Sequence, residues 1–150
     1  MQEILSKTAI LIPARKGSKG IWNKNLRPVL GRPMISYCLE AAVRTGIEEI
    51  HVLTDDERTA RLAESVGARA IMRSPLNALS SSPSVDGVFE ALGHIKTPKY
   101  IVLVQPTSPM TTETDILETL SKLHQGGFDT VFTASKAHFK IWCESKGELQ

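Results

Sequence analysis

Apolar residues along this chain fall in short runs separated by longer amphipathic stretches. The run Ala9-Ile10-Leu11-Ile12 is too short for a helix and reads as a buried strand. Pro33 sits where a helix can begin, and Met34-Ile35, Tyr37-Cys38-Leu39 and Ala41-Ala42 supply an apolar stripe that ends at Gly46. Residues 50–54 predict a second strand. Asp55-Asp56-Glu57 then place acids at a helix start, where the backbone dipole favours them, and that helix runs to about Val66 before Gly67. A short third strand follows at 69–72. The Ser/Pro/Asn-rich stretch 73–83 reads as a loop, with Ser84 as an N-cap for a helix through Ile95. Residues 100–104 are apolar throughout, as in a parallel sheet covered on both faces, and lead into the polar turn Gln105-Pro106-Thr107-Ser108-Pro109. A helix over 113–124 and a fifth strand over 130–134 complete the alternation. This rhythm predicts an α/β fold: a three-layer α/β/α sandwich around a mostly parallel, Rossmann-like sheet. Residues 135–150 fit less well, because Phe139, Ile141, Trp142 and Leu149 alternate loosely with charges, as in an exposed or partner-covered strand.

A chain of 150 residues, 41% apolar, is enough for one core and predicts a single domain over 1–150. The net charge of +2 gives no global basic field of the kind nucleic-acid binders often carry. No apolar run approaches the ~20 residues of a membrane span, and the N-terminus lacks the apolar core of a signal peptide. Cys38 and Cys143 have neither paired-thiol nor zinc-ligand spacing, which agrees with reduced thiols and a cytoplasmic location.

Charge is distributed unevenly, and this directs attention to the turn after the first strand. Residues 1–32 hold Lys7, Arg15, Lys16, Lys19, Lys24, Arg27 and Arg32 against the lone acid Glu3. In Arg15-Lys16-Gly17-Ser18-Lys19-Gly20, backbone N–H groups freed by the two glycines can point at an anion while the cations neutralise it. Open α/β sheets bind ligands at such strand ends. A polyphosphate is the ligand this chemistry implies. The turn is neither a P-loop, whose glycines are spaced differently, nor a G-x-G-x-x-G dinucleotide turn.

The motif Ile12-Pro13-Ala14-Arg15-x-Gly17-Ser18-Lys19-Gly20-Ile21-x-x-Lys24-Asn25, followed by Leu30-Gly31-Arg32-Pro33-Met34-Ile35, resembles the acylneuraminate cytidylyltransferases, or CMP-sialic acid synthetases. The resemblance continues in order through Thr54-Asp55-Asp56, Gly67-Ala68, Arg73, Ser84, Gln105-Pro106-Thr107-Ser108-Pro109, Asp115-Ile116 and Phe128-Asp129-x-Val131-Phe132. It implies transfer of CMP from CTP to a nonulosonic acid with release of pyrophosphate, helped by magnesium, in a homodimer. CTP and the sugar acid would be the partners, with no nucleic acid or membrane involved.

By this resemblance Arg15 and Lys24 are the catalytic cations on the triphosphate, an arginine fork beside a movable point charge. Gly17, Ser18, Lys19, Asn25, Arg73 and Ser84 are nucleotide-binding positions, and Gln105 meets the sugar acid. Several of these types have plainer uses. Lys19 would also frame the loop, Asn25 would also stabilise a turn, and Ser84 has one hydroxyl to share between the nucleotide and a helix cap. Gln105 would otherwise bond to its own turn. His51, His94, His124 and His138 share no ligand spacing. The acids Asp55-Asp56 read as helix caps rather than metal ligands.

Two departures qualify the resemblance. Ser80 stands where bacterial relatives commonly carry an aspartate, and the family's metal-binding aspartates would lie beyond Gln150. The chain therefore reads as an N-terminal fragment in which 135–150 begin a dimerisation segment, expected to bind CTP weakly and turn over little. Pseudaminic or legionaminic acid is an alternative substrate. The octulosonic acid enzymes usually have a differently spaced first loop. A non-catalytic nucleotide-binding relic is a further alternative, whereas RNA binding is disfavoured because Trp22 is the lone aromatic among the loop cations.

Overall fold

The structure, a computed structural model, describes residues 2–17, 20–74, 84–95 and 98–134, without the side chains of 84–86, together with the backbone of 144–145 and 148–149. In chain order the elements are α1 (Gln2–Leu5), β1 (Thr8–Pro13), a 3-10 turn (Lys24–Leu26), β2 (Pro28–Val29), β3 (Arg32–Pro33), α2 (Met34–Arg44), β4 (Glu49–Thr54), α3 (Glu57–Ser65), β5 (Arg69–Met72), α4 (Ser84–Leu92), β6 (Tyr100–Leu103), α5 (Glu113–Gly126), β7 (Glu144–Ser145) and β8 (Glu148–Leu149).

Four parallel strands form the central sheet in the order β5-β4-β1-β6. Register sets Ile10 between Ile50 on β4 and Val102 on β6. Because side chains alternate across a strand, β1 feeds both faces, and Ala9, Ile10, Leu11 and Ile12 have no exposed surface. Ile10, Ile12, Ile50 and Val52 face Ile35 and Leu39 of α2, Ala63 of α3, and Ile116 and Leu120 of α5. Ala9, Leu11, Leu53 and Ile71 face Ala91 of α4 and the following Ile95. This is the expected α/β/α sandwich. The first two crossovers run outward in one direction and keep α2 and α3 on one face. The third returns across the sheet to β6, which puts α4 on the other. Strand order therefore reverses between β1 and β6.

Local chemistry sets the helix limits. Asp56 caps α3 by accepting from the Arg58 N–H at 3.0 Å. Thr112 and Asp115 form a reciprocal capping box on α5, which ends at Gly127 with φ 63°. A small hairpin, β2 with β3, turns on Leu30 and Gly31 with φ of 47° and 80°.

Three expectations change. Residues 130–134 form no strand: Phe132 is 81% exposed and the segment makes no ladder with β6. β6, which reads as buried on both faces, is an edge strand, with Ile101 and Leu103 partly open at 38% and 47%. The α1 segment and the β2–β3 hairpin were not expected at all. Ser18, Lys19, Ser80, Phe139, Trp142 and Cys143 lie outside the described residues, as does the dimerisation role expected of 135–150.

Candidate functional site

The carboxyl ends of the four strands are joined by backbone bonds that continue the sheet just past its regular pairing. Ala14 N–H donates to the Leu53 carbonyl at 2.8 Å, Arg73 N–H to that of Thr54 at 2.9 Å, and Val104 N–H to that of Leu11 at 2.9 Å. The loops leaving these ends start from fixed positions. Between them, at the reversal of strand order, lies a cleft of about 840 Å³.

The cleft wall draws on every strand end. β1 and its turn contribute Pro13, Arg15, Gly20, Ile21, Lys24 and Asn25, while Leu53 comes from β4 and Arg73 follows β5. From α4 come Gly87 and Val88, and from the β6 end Leu103, Gln105, Pro106 and Thr107. Among the described residues, three cations and no acid stand in this wall. Arg15 and Lys24 have no carboxylate partner among the described residues, whereas Arg32, Arg44, Arg58 and Arg69 are each paired with one. Charge left without a counter-ion at a concave site is an invitation to an anionic ligand.

Short bonds hold the basic turn at its base. Thr54 Oγ1 donates to the Ala14 carbonyl at 2.8 Å, and Asn25 Nδ2 donates to the Arg15 carbonyl at 3.0 Å. Lys16 N–H donates to Asp55 Oδ1 at 2.6 Å. Asp56 N–H returns to Thr54 Oγ1 at 3.0 Å. Asp56 itself is buried and bonded to the Arg58 guanidinium, which holds its carboxyl below the usual range.

Most of the residues singled out from sequence converge here. Arg15, Lys24, Asn25, Arg73 and Gln105 all line the cleft. Asn25 is nonetheless buried, with its amide N–H₂ committed to the Arg15 carbonyl, so part of its hydrogen-bonding capacity serves the turn. Gln105 is exposed rather than buried, and Thr107 Oγ1 reaches its Oε1 only at 3.5 Å. Gly17 does not line the cleft. Neither Gly17 nor Gly20 takes the left-handed backbone, and an added Cβ at either would meet open space. Among the described residues of this turn the left-handed position is Asn23, φ 50°, whose Oδ1 is buried with no partner among them. Ser18 and Lys19 lie outside the described residues, and of Ser84 only the backbone, at the start of α4, is described. Sequence reasoning missed Asp55 as a tether of the turn, taking it as a helix acid, and missed Gly87 and Thr107 in the wall.

Among the described residues no three His, Cys, Asp or Glu side chains converge in a way that would hold a metal ion. No described helix is long and apolar enough to cross a membrane.

The cleft agrees with what the chain is similar to. It is 36% identical over 121 residues to the N-acylneuraminate cytidylyltransferase of Escherichia coli O18:K1:H7, covering 80% of this chain and 29% of that protein. It is 33% identical over 141 residues to 3-deoxy-manno-octulosonate cytidylyltransferase 2 of Hydrogenovibrio crunogenus, covering 93% and 56%. A solved CMP:2-keto-3-deoxy-manno-octonic acid synthetase complexed with CTP superposes with a TM-score of 0.70 at 28% identity, covering 81% of this chain and 49% of that one. The chain thus spans 29% and 56% of the lengths of these two curated relatives. The sequence profile of the Cytidylyltransferase family matches residues 9–141. That match begins in β1 and takes in the basic turn, the β4 and β5 ends, α4 and the β6 turn, so every wall of the cleft falls inside it, and the chain belongs to the cytidylyltransferase family.

Proposed function

We propose that this chain carries the nucleotide-binding half of an enzyme that transfers CMP from CTP to a 2-keto sugar acid. The observation that carries the reading is the cleft wall at the strand-order reversal, where Arg15 and Lys24 stand without an acid partner among the described residues. In the reaction the sugar's anomeric hydroxyl gives up its proton to solvent as its oxygen bonds to the α-phosphorus of CTP, the bond from that phosphorus to the α–β bridging oxygen breaks, and pyrophosphate leaves with the bridging oxygen. Such a step asks the protein mainly to align nucleophile and leaving group and to offset negative charge. Arg15 and Lys24 do the second on the triphosphate. In this reading Arg73 and Asn25 read the base and ribose, Ser84 at the head of α4 is a further nucleotide contact, and Gln105 meets the sugar acid from the β6 turn. Ser18 and Lys19 complete the phosphate turn in this reading, and magnesium and a second subunit would be supplied from outside the described residues.

The sugar acid in this reading is a nonulosonic acid of the N-acylneuraminate type, supported by the Ser18-Lys19-Gly20-Ile21 run and by the relative from Escherichia coli. An octulosonic acid is the second reading, favoured by the Hydrogenovibrio relative and by the superposition on the octonic acid synthetase. A panel of both acid types, together with pseudaminic and legionaminic acids, discriminates by pyrophosphate release.

Calorimetric titration with CTP tests the site itself. Replacing Arg15 or Lys24 with Ala removes a charge-assisted hydrogen bond and should weaken CTP binding by roughly 1.5–3 kcal/mol. Unchanged affinity in both variants would take the cations out of the site. CTP binding without pyrophosphate release for any acid, in a protein that also carries the metal-binding segment, would favour the relic.

A further inference from the structure

Gly87 stands in the interior of α4 with nothing in its backbone that calls for glycine, since its φ is outside the left-handed range. Glycine inside a helix lowers stability relative to alanine, so its presence here needs a cause outside the helix. The cause visible in the structure is Arg73. A Cβ at position 87 would lie 3.3 Å from one terminal guanidinium nitrogen, 3.5 Å from the central carbon and 3.6 Å from Nε. An edge-on guanidinium would spread these three distances more widely. The near-equal distances mean that the plane lies face-on against the helix, close enough at its terminal nitrogen that a methyl group would press it back by a few tenths of an ångström.

Other bonds fix the two partners of this contact. Arg73 N–H is held by the Thr54 carbonyl at 2.9 Å. One residue on, Ser74 N–H donates to the Glu90 carboxylate of α4 at 2.7 Å. The segment after β5 is therefore fastened to β4 on one side and to α4 on the other, and both Arg73 and Gly87 open into the cleft.

We infer that Gly87 is a positioning residue for base selection: its bare backbone is the platform that sets the plane and depth of the Arg73 guanidinium in the cleft. The inference rests on the proposed reading of the site as a cytidine nucleotide site. A guanidinium is a donor alone, and cytosine offers it adjacent acceptors at O2 and N3, whereas uracil presents an N–H at N3. Discrimination between the two bases then depends on where the fork is aimed. A methyl group at 87 presses the fork away from the helix, and the Arg73→Ala background separates that effect from any direct contact between the methyl group and the nucleotide.

The test is titration of wild-type chain, Gly87→Ala, Arg73→Ala and the double variant with CTP and with UTP. Wild type should prefer CTP. Gly87→Ala should lose roughly tenfold in CTP affinity and most of that preference while melting no lower than wild type. In the Arg73→Ala background the same change should alter neither affinity nor preference, because the group it displaces is gone. A Gly87→Ala variant that keeps the wild-type preference while Arg73→Ala loses it overturns the platform and leaves the cytidine site standing. If Arg73→Ala itself keeps wild-type affinity and preference, or wild type binds neither nucleotide, the underlying site reading fails and the platform with it. Should Gly87→Ala fail to fold, the double variant decides. Recovery of folding supports the contact, and continued failure overturns it.

Discussion

Asp55 is an acid placed beside the basic turn that is proposed to hold the triphosphate. Its carboxylate accepts the Lys16 N–H at 2.6 Å and so holds the basic turn against the end of β4, at the cost of a negative charge near the proposed triphosphate. The two effects oppose each other, and substitutions separate them. Asp55→Ala removes both acceptor and charge. A lost net hydrogen bond costs about 0.5–1.5 kcal/mol, and CTP binding should weaken by a similar amount as the turn loosens. Asp55→Asn keeps an acceptor and deletes the charge, and should bind CTP at least as tightly as wild type in the same titration. Equal weakening by both variants would show that the charge, not the acceptor, is what the turn needs. Arg15 and Lys24 differ from the paired surface arginines in the same sense: what distinguishes them is having no carboxylate partner among the described residues, which residue type alone does not reveal.

At the scale of elements, α3 carries a pH dependence in its cap. Asp56 accepts from the Arg58 backbone and guanidinium, and Arg58 is the main reason its carboxyl titrates below the ordinary range. A depressed folded-state value means the carboxylate's contribution is fully present above the unfolded value of about 3.9 and disappears as pH falls through the folded one. Asp56→Ala should cost roughly 0.5–2 kcal/mol at neutral pH in urea unfolding. The gap between variant and wild type should close as pH falls below about 3.9; a gap constant down to the acid limit would exclude the cap as its source. The β6 edge belongs to this scale too. Its outer side has no paired strand among the described residues, and Thr130, Val131 and Phe132 lie along the groove beside it without joining the ladder.

For the molecule as a whole, the reversal of strand order is what brings the ends of β1, β4, β5 and β6 around one cleft. Much of that was legible in the chain. β1 announces itself because four successive apolar residues, too few for a helix and followed by Pro13, suit a doubly covered strand, and the cations after it sit where parallel sheets open. β6 was legible as a strand but not as an edge, because apolar content records what a residue prefers and not how many neighbours the topology provides. The β2–β3 hairpin escaped notice since two-residue strands between prolines carry no periodicity. Ile21 and Leu103 in the cleft wall, and the contact of Gly87 with Arg73, escaped for another reason: they depend on distances across the fold that no local pattern encodes.

Cys38 adds a practical consequence. Burial on α2 pushes its thiol up to about 12, and Sγ lies 3.1 Å from the Ile35 carbonyl. Alkylating reagents need thiolate and access, and the native state offers them neither. In a Cys143→Ser background, uptake of iodoacetamide at Cys38 should therefore proceed only through opening of the sheet–helix interface, slowing when CTP is added and quickening in urea. Mass spectrometry of the alkylated fraction over time would serve as a clock for how often this interior comes apart, and rapid, nucleotide-independent uptake would mean the thiol is reached without such opening.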